Sequence, residues 1–189
     1  MAGNGALLIV EDDPGLQKQL AWTFENREVL AATDRQQAIA LLRRHEPAVV
    51  LQDLGLPPDP SGVLEGFATL REIIALAPHT KVIVVTGNAD RDNALRAIGL
   101  GAYDFCQKPL DVDVLRLIVD RAFGMQELER QNRELNAAHA STPLTGIVST
   151  DPVMLRACRM VEKVAPAQVS VLILGESGTG KELVARAVH

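Results

Sequence analysis

The chain has 189 residues, 47% of them hydrophobic, which suits one ordinary domain and part of another. Its formal net charge of -5 argues against a general attraction to nucleic acid. No apolar stretch approaches the ~20 residues of a membrane span, and the separated Cys106 and Cys158 indicate neither a disulfide framework nor a metal site. These features predict a cytoplasmic protein without a membrane segment.

Up to about residue 110, apolar runs alternate with amphipathic stretches. Helices are predicted behind Pro14-Gly15, after Asp34 as an N-cap, over Leu64–Leu76 and over about Ala89–Leu100. Such alternation favours an α/β fold with a parallel sheet and helices on both faces. We therefore expect a flavodoxin-like domain with five strands, at Ala6–Val10, Glu28–Ala32, Ala48–Asp53, Lys81–Val85 and Ala102–Gln107.

Polar side chains follow four of these strands. Asp53 ends the most apolar run, Glu11-Asp12-Asp13 follows the first, Thr86 follows the fourth and Lys108 follows the fifth. The carboxyl ends of parallel strands share one edge of the sheet, where α/β proteins keep their chemistry. Clustered carboxylates repel one another unless a cation lies among them, and Mg²⁺ binds carboxylates together with phosphate oxygens. The sequence thus predicts a site for Mg²⁺ and a phosphoryl group.

These residues, in this order, resemble the receiver domain of bacterial response regulators, over about Leu7 to Phe123. The resemblance implies that Asp53 accepts a phosphoryl group from a sensor histidine kinase as an acyl phosphate. It also implies a cis bond before Pro109. The other positions implied are Asp12 and Asp13, which with Asp53 hold Mg²⁺, the switch hydroxyl of Thr86, the switch aromatic Phe105, and Lys108, which pairs with phosphoryl oxygens.

The loop after Asp53 departs from the common pattern of that family. The stretch Pro57-Pro-Asp-Pro-Ser-Gly-Val-Leu-Glu-Gly66 is longer by several residues than the usual turn. In this loop the chain is similar to a subgroup of response regulators named for the PEP-CTERM box. The insertion changes the expected shape of the loop over Asp53, and leaves the chemistry as it is.

Two other classes of function compete with a phosphorylation switch. A phosphatase with an aspartyl nucleophile would need a second carboxylate two residues after Asp53, where the chain has Gly55. A phosphorylation-independent, receiver-like dimerisation module would usually have lost Asp12, Thr86 or Lys108, and all three are present. The second class remains the alternative to the switch.

A long helix is predicted from Asp111 to about His139, with one glycine, Gly124, and no proline. Its second half carries a short heptad pattern, with an asparagine that favours a parallel two-stranded coil. We expect this linker to form a homodimer, and a solvated single helix is the alternative. The expected contact residues are Met125, Leu128, Asn132 and Leu135, with Ile118 in the same register as Met125.

After a polar boundary at Ala140–Gly146, a helix over Asp151–Val164 and a strand over Val169–Leu174 lead into a glycine-rich loop. A strand, a glycine-rich loop and a helix that opens at Lys181 are typical of a P-loop, where backbone N–H groups and the helix N-terminus bind phosphate. Lys181 would contact the β- and γ-phosphates of ATP. The predicted nucleotide-binding residues are Gly175, Glu176, Ser177, Gly178, Thr179, Gly180, Lys181 and Glu182.

This P-loop motif has Glu182 in its eighth position. That version of the motif, together with the earlier Leu144-Thr-Gly-Ile147, resembles the ATPase domain of sigma-54-dependent transcription activators. Receiver, linker and P-loop together resemble an NtrC-type response regulator, with a receiver at 1–123, the last receiver helix and linker at 111–140, and an AAA+ fragment at 144–189. The resemblance implies ATP as a cofactor of the full-length parent. It implies sigma-54 RNA polymerase and DNA as partners only through regions absent from this chain, and the 189 residues alone are expected not to hydrolyse ATP.

Overall fold

The computed structural model describes residues 5–87, 91–140, 147, 149, 151–167, 170–176 and 178–188. The chain divides into two compact units, the first ending at Glu129 and the second beginning at Arg130. Each unit is described by itself.

The first unit is built on a five-stranded parallel sheet of order β2-β1-β3-β4-β5. Its central strands are buried on both faces because their sequences are continuous apolar runs. The predicted parallel sheet is thereby confirmed. The strands are β1 Leu7–Val10, β2 Val29–Ala32, β3 Val49–Asp53, β4 Lys81–Thr86 and β5 Asp104–Gln107.

In the described part of the chain, four helices connect the strands, and a fifth follows the last strand. The side chain of Asp13 accepts hydrogen bonds from the N–H groups of Gly15 and Leu16, and that of Asp34 accepts one from Gln37 N at 2.9 Å, so both aspartates are N-caps. Ala89, where the fourth helix was predicted to begin, lies outside the described residues. The helices are α1 Pro14–Thr23, α2 Arg35–His45, α3 Leu64–Leu76, α4 Arg91–Gly99 and α5 Val112–Ala140.

The core lies in two layers, one on each face of the sheet. The side chains of β1 alternate between them, with Leu8 and Val10 in one layer and Leu7 and Ile9 in the other. Each fully buried aliphatic side chain contributes about 1.5–3 kcal/mol to the free energy of folding. The first layer is completed by Ile39, Phe67 and Ala97 of α2, α3 and α4, and the second by Leu20, Leu115 and Val119 of α1 and α5.

Both cysteines are small buried side chains. Cys106 is 8% exposed and Cys158 is 1% exposed. Burial, reinforced by the charge of Asp104, raises the pKa of Cys106 to about 11. Neither cysteine forms a disulfide.

The second unit contains α6 Pro152–Val164, capped by the side chain of Asp151, and α7 Lys181–Val188. The strand predicted over Val169–Leu174 is wrong for residues 170–174, which form no strand, and Leu172 and Leu174 are 81% and 82% exposed. Val169 lies outside the described residues. An apolar run becomes a strand only when a neighbouring strand supplies hydrogen-bond partners. The predicted boundary residues 141–146 lie outside the described part of the chain.

None of the described helices combines the length and the apolarity that a membrane crossing requires.

Candidate functional site

Asp53, the last residue of β3, lies at the edge predicted for the site and is 8% exposed. Its Oδ2 accepts a hydrogen bond from Lys108 Nζ at 2.8 Å, and its Oδ1 accepts one from Gly55 N at 3.2 Å. Lys108 follows β5, so the pairing of β3, β4 and β5 brings the amine to the carboxylate. A buried carboxylate is thus held in a fixed orientation by a charge-assisted hydrogen bond.

Two further carboxylates surround this pair. Single oxygens of Glu11, Asp12 and Asp53 lie within 4.8 Å of one another, the kind of donor set that Mg²⁺ prefers. Glu11 Oε2 also accepts from Lys108 Nζ at 2.9 Å. The residues present therefore fit a bound divalent cation, because three acidic groups lie together and the amine of Lys108 bonds to only two of them, Glu11 and Asp53.

Burial and the hydrogen bonds at this edge shift the pKa values of Glu11 and Lys108. Burial raises the pKa of Glu11, although the hydrogen bond from Lys108 opposes the shift. Burial lowers the pKa of Lys108, but its hydrogen bonds to Asp53 and Glu11 outweigh that effect and leave it above the usual range. The amine consequently stays charged at neutral pH.

Asp13, predicted as the partner of Asp12 in holding Mg²⁺, lies apart from this group. Its side chain caps α1, and the backbone hydrogen bonds from Leu16 and Gly15 lower its pKa. Glu11 takes the place expected for Asp13. The strand register would have identified Glu11. Val10 of β1 pairs with Gln52 of β3, so the next residues along the two strands, Glu11 and Asp53, lie side by side.

Thr86 and Phe105 lie on the neighbouring strands β4 and β5. Thr86 ends β4, is 4% exposed and pairs with Gln107, whereas Phe105 pairs with Val84 two residues earlier. Two residues along a strand is one pleat repeat, so the two side chains belong to the same face of the sheet. Phe105 is 42% exposed, which excludes a role in the core.

A cleft of about 360 Å³ opens above Asp53. One part of its wall comes from the strand ends, with Thr86, Gly87 and Lys108, and another comes from the loop after β3. The Lys108–Pro109 bond is cis, as predicted, and Pro57–Pro58 in the loop is cis as well. The loop residues that line the cleft are Leu54, Gly55, Pro60, Ser61, Gly62 and Val63.

The four residues predicted for the dimer linker lie on α5 and are exposed. Met125, Leu128 and Leu135 are 42%, 61% and 60% exposed, and Asn132 is exposed too. Ile118, placed by the sequence in the same register, instead packs against the core layer of α1 and α5. The exposed apolar residues on the earlier part of α5 are Val114 and Leu117.

The glycine-rich loop of the second unit leads directly into α7. Lys181 Nζ donates to the carbonyl oxygens of Gly175 and Glu176, at 2.9 and 2.5 Å. Gly178 and Gly180 have positive φ values of 83° and 80°, which a glycine adopts readily. Among the other predicted residues, Thr179 Oγ1 donates to Glu176 O and Glu182 pairs with Arg186, whereas Ser177 lies outside the described residues.

A parallel five-stranded sheet with this acid cluster, hydroxyl and lysine at one edge defines a receiver domain, and the chain belongs to the response regulator receiver domain family. The model of that family matches residues 7–120. The model of the Sigma-54 interaction domain matches residues 147–189.

Among curated relatives, the chain is 36% identical over 192 residues to the regulatory protein AtoC of Escherichia coli (strain K12), covering 100% of this chain and 41% of AtoC. It is 35% identical to the DNA-binding transcriptional regulator NtrC of Salmonella typhimurium, covering 98% of this chain and 38% of NtrC. The crystal structure of NtrX from Brucella abortus in complex with ADP matches with a TM-score of 0.64 and 32% identity, over 98% of this chain and 40% of NtrX. The chain therefore spans about two fifths of the length of these relatives.

Proposed function

We propose that this chain is the phosphorylation-controlled part of a two-component response regulator, in which Asp53 receives a phosphoryl group from a sensor histidine kinase. The observation that carries the proposal is the buried Asp53 carboxylate. Its Oδ2 accepts a hydrogen bond from Lys108 Nζ, and the carboxylates of Glu11 and Asp12 lie close to it. The second class considered, a phosphorylation-independent dimerisation module, has no need of such a cluster.

In the transfer, one oxygen of Asp53 forms a bond to phosphorus as the bond between phosphorus and the donor histidine nitrogen breaks. Lys108 neutralises charge on the phosphoryl oxygens, and Glu11 holds its amine in place. Glu11, Asp12 and Asp53 would hold Mg²⁺, which adds charge neutralisation when bound. The amide of Gly55 keeps Asp53 oriented for attack.

The acyl phosphate adds about two negative charges and three strong acceptor oxygens to the cleft. We infer that the hydroxyl of Thr86, on the cleft wall, responds to this charge and that Phe105 changes its exposure in turn. The change would reach α5, and through it the sigma-54-dependent activator that the longer protein forms.

The magnesium assignment predicts different effects for two adjacent aspartates. We expect Asp12→Asn to weaken Mg²⁺ binding about tenfold or more, because it removes one anionic ligand of the three-carboxylate group. The matched control is Asp13→Asn, which keeps the N-cap of α1 and should bind Mg²⁺ as the wild type does. Isothermal titration calorimetry measures both affinities. Equal weakening of Mg²⁺ binding in both variants would show that Asp13 also contributes to the metal site, and would contradict the assignment.

We further propose that α5 joins two copies of the chain through Met125, Leu128, Asn132 and Leu135. Leucines exposed at heptad spacing fit a two-stranded coil, and the asparagine fits an a position. Exposed apolar side chains along a helix gain stability when a second copy covers them.

Leu128→Lys should therefore lower the dimer affinity at least about tenfold, because it places a charge in the apolar seam. Sedimentation with Mg²⁺, with and without beryllofluoride as an acyl phosphate mimic, measures the mass of the particle. Leu76→Lys alters an exposed leucine of α3 and serves as the control. A dimer of unchanged affinity in Leu128→Lys would contradict the linker assignment.

In the longer protein we assign Lys181 and the glycine-rich loop to ATP binding. The loop supplies backbone groups at the N-terminus of α7, and the lysine lies beside them. Contacts with sigma-54 RNA polymerase and DNA belong to regions outside these 189 residues.

A further inference from the structure

The loop between β3 and α3 is fixed at both ends. At its start, Leu54 and Leu56 are 1% and 0% exposed, and both belong to the core layer of α2, α3 and α4. At its end, Gln52 Nε2 donates to Gly66 O at 2.6 Å. The first turn of α3 is also tied to α2 by the Arg35–Glu65 ion pair, at 2.9 Å. The chain between these anchors has little freedom to swing away from the cleft.

Inside this frame, the residues from Pro57 to Gly62, the Pro57–Gly62 segment, form a compact turn. Asp59 N donates to Leu56 O at 3.2 Å, and Gly62 N donates to Asp59 O at 3.0 Å. Ser61 Oγ lies 3.4 Å from Asp59 Oδ1. The turn is thus closed by its own hydrogen bonds.

The Pro57–Gly62 segment crosses directly over Gly55. A Cβ atom added to Gly55 would lie 2.4 Å from the carbonyl oxygen of Pro60 and 3.8 Å from Asp53 Oδ2. The Pro60 carbonyl therefore occupies the space that a side chain at position 55 would fill, beside the Asp53 carboxylate. Together with Ser61 and Gly62, it forms one wall of the cleft.

We propose that the Pro57–Gly62 segment sets the lifetime of the acyl phosphate by restricting the approach of water to Asp53. The inference rests on the proposed phosphorylation of Asp53. In hydrolysis, a water oxygen forms a bond to phosphorus while the bond from phosphorus to the Asp53 oxygen breaks, the carboxylate leaves, and the proton of the water passes to solvent. The attacking water must reach the side of phosphorus opposite the Asp53 oxygen, and it reaches that side through the cleft, so a fixed wall of the cleft narrows its route.

The test displaces the wall by one methyl group. In Gly55→Ala the added methyl group and the Pro60 carbonyl cannot both keep these positions, so we expect the carbonyl to move outward, while the N–H group that donates to Asp53 is kept. We expect the acyl phosphate of this variant to decay about five- to tenfold faster than that of the wild type. Protein is phosphorylated with radiolabelled phosphoramidate and freed from donor, and the loss of label is followed. Gly124→Ala, where a Cβ meets nothing within 4 Å, is the matched control and should keep the wild-type lifetime.

A second variant moves the lifetime in the opposite direction without changing the backbone. Ser61 is exposed on the same wall, so Ser61→Leu adds bulk at the mouth of the cleft and should slow the decay about twofold or more. Unchanged or faster decay in Ser61→Leu would overturn the proposal even where Gly55→Ala does not fold. Unchanged or slower decay in a folded Gly55→Ala would also overturn it. A wild-type chain that takes up no label refutes the phosphorylation of Asp53 itself, which is a separate result.

Discussion

Asp53→Asn should abolish acyl phosphate formation, with a loss of at least about a hundredfold in the protein phosphorylated by a small phosphodonor, because an amide oxygen is a far weaker nucleophile than a carboxylate. The substitution is nearly isosteric, and Lys108 keeps its second partner, Glu11, at 2.9 Å. We therefore expect the fold to survive while the chemistry is lost. Intact-mass spectrometry after incubation with phosphoramidate and Mg²⁺ measures the outcome.

The control for this experiment is Asp13→Asn, which changes the acidic residue that follows Asp12 in the sequence and retains the N-cap of α1. This variant should be phosphorylated as the wild type is. Phosphorylation that persists in Asp53→Asn would show that a different residue is the phosphoacceptor. The further consequence, loss of the beryllofluoride response in sedimentation, then separates a phosphorylation switch from a dimerisation module that does not need one.

Gly66→Ala should destabilise the first unit by about 3 kcal/mol, since the added methyl group enters occupied space. Its Cβ would lie 2.3 Å from the Cα atom and 2.4 Å from the carbonyl oxygen of Leu54, and these are backbone atoms of a buried segment. The first turn of α3 would have to move away from the end of β3 and weaken the hydrogen bond from Gln52. Urea denaturation followed by circular dichroism measures the shift in midpoint.

The same chemical change at Gly124 should have the opposite sign. Gly124 lies inside α5, a methyl group added there would meet nothing within 4 Å, and alanine favours a helix over glycine by about 0.5–1 kcal/mol. Equal midpoints for Gly66→Ala and Gly124→Ala would contradict the close packing of α3 on β3.

The strands and helices of the first unit could be predicted because their residues carry local signals. Continuous apolar runs specify strands buried on both faces, and Asp34 marks a helix start by its own side chain. The edge of the sheet that holds Asp53, Thr86 and Lys108 follows from the order of the elements alone.

What failed depended on contacts between distant parts of the chain. The choice of Asp13 instead of Glu11 was off by two residues, because only the register of β1 against β3 shows which carboxylate lies beside Asp53. The strand predicted at Val169–Leu174 failed because hydrophobicity does not supply a pairing partner. The wall made by Pro60 could not be foreseen either, since it depends on how the loop folds back on Gly55.

The burial of both cysteines makes this chain well suited to site-specific spectroscopy. With a pKa of about 11, the fraction of Cys106 present as reactive thiolate at pH 7 is on the order of 10⁻⁴. Cys158, at 1% exposure, is shielded from labelling reagents. A single cysteine introduced at an exposed position of α5 could therefore be labelled selectively with a spin probe or a fluorophore. Distances between labels on two copies of the chain would then test the proposed dimer, without first removing the native thiols.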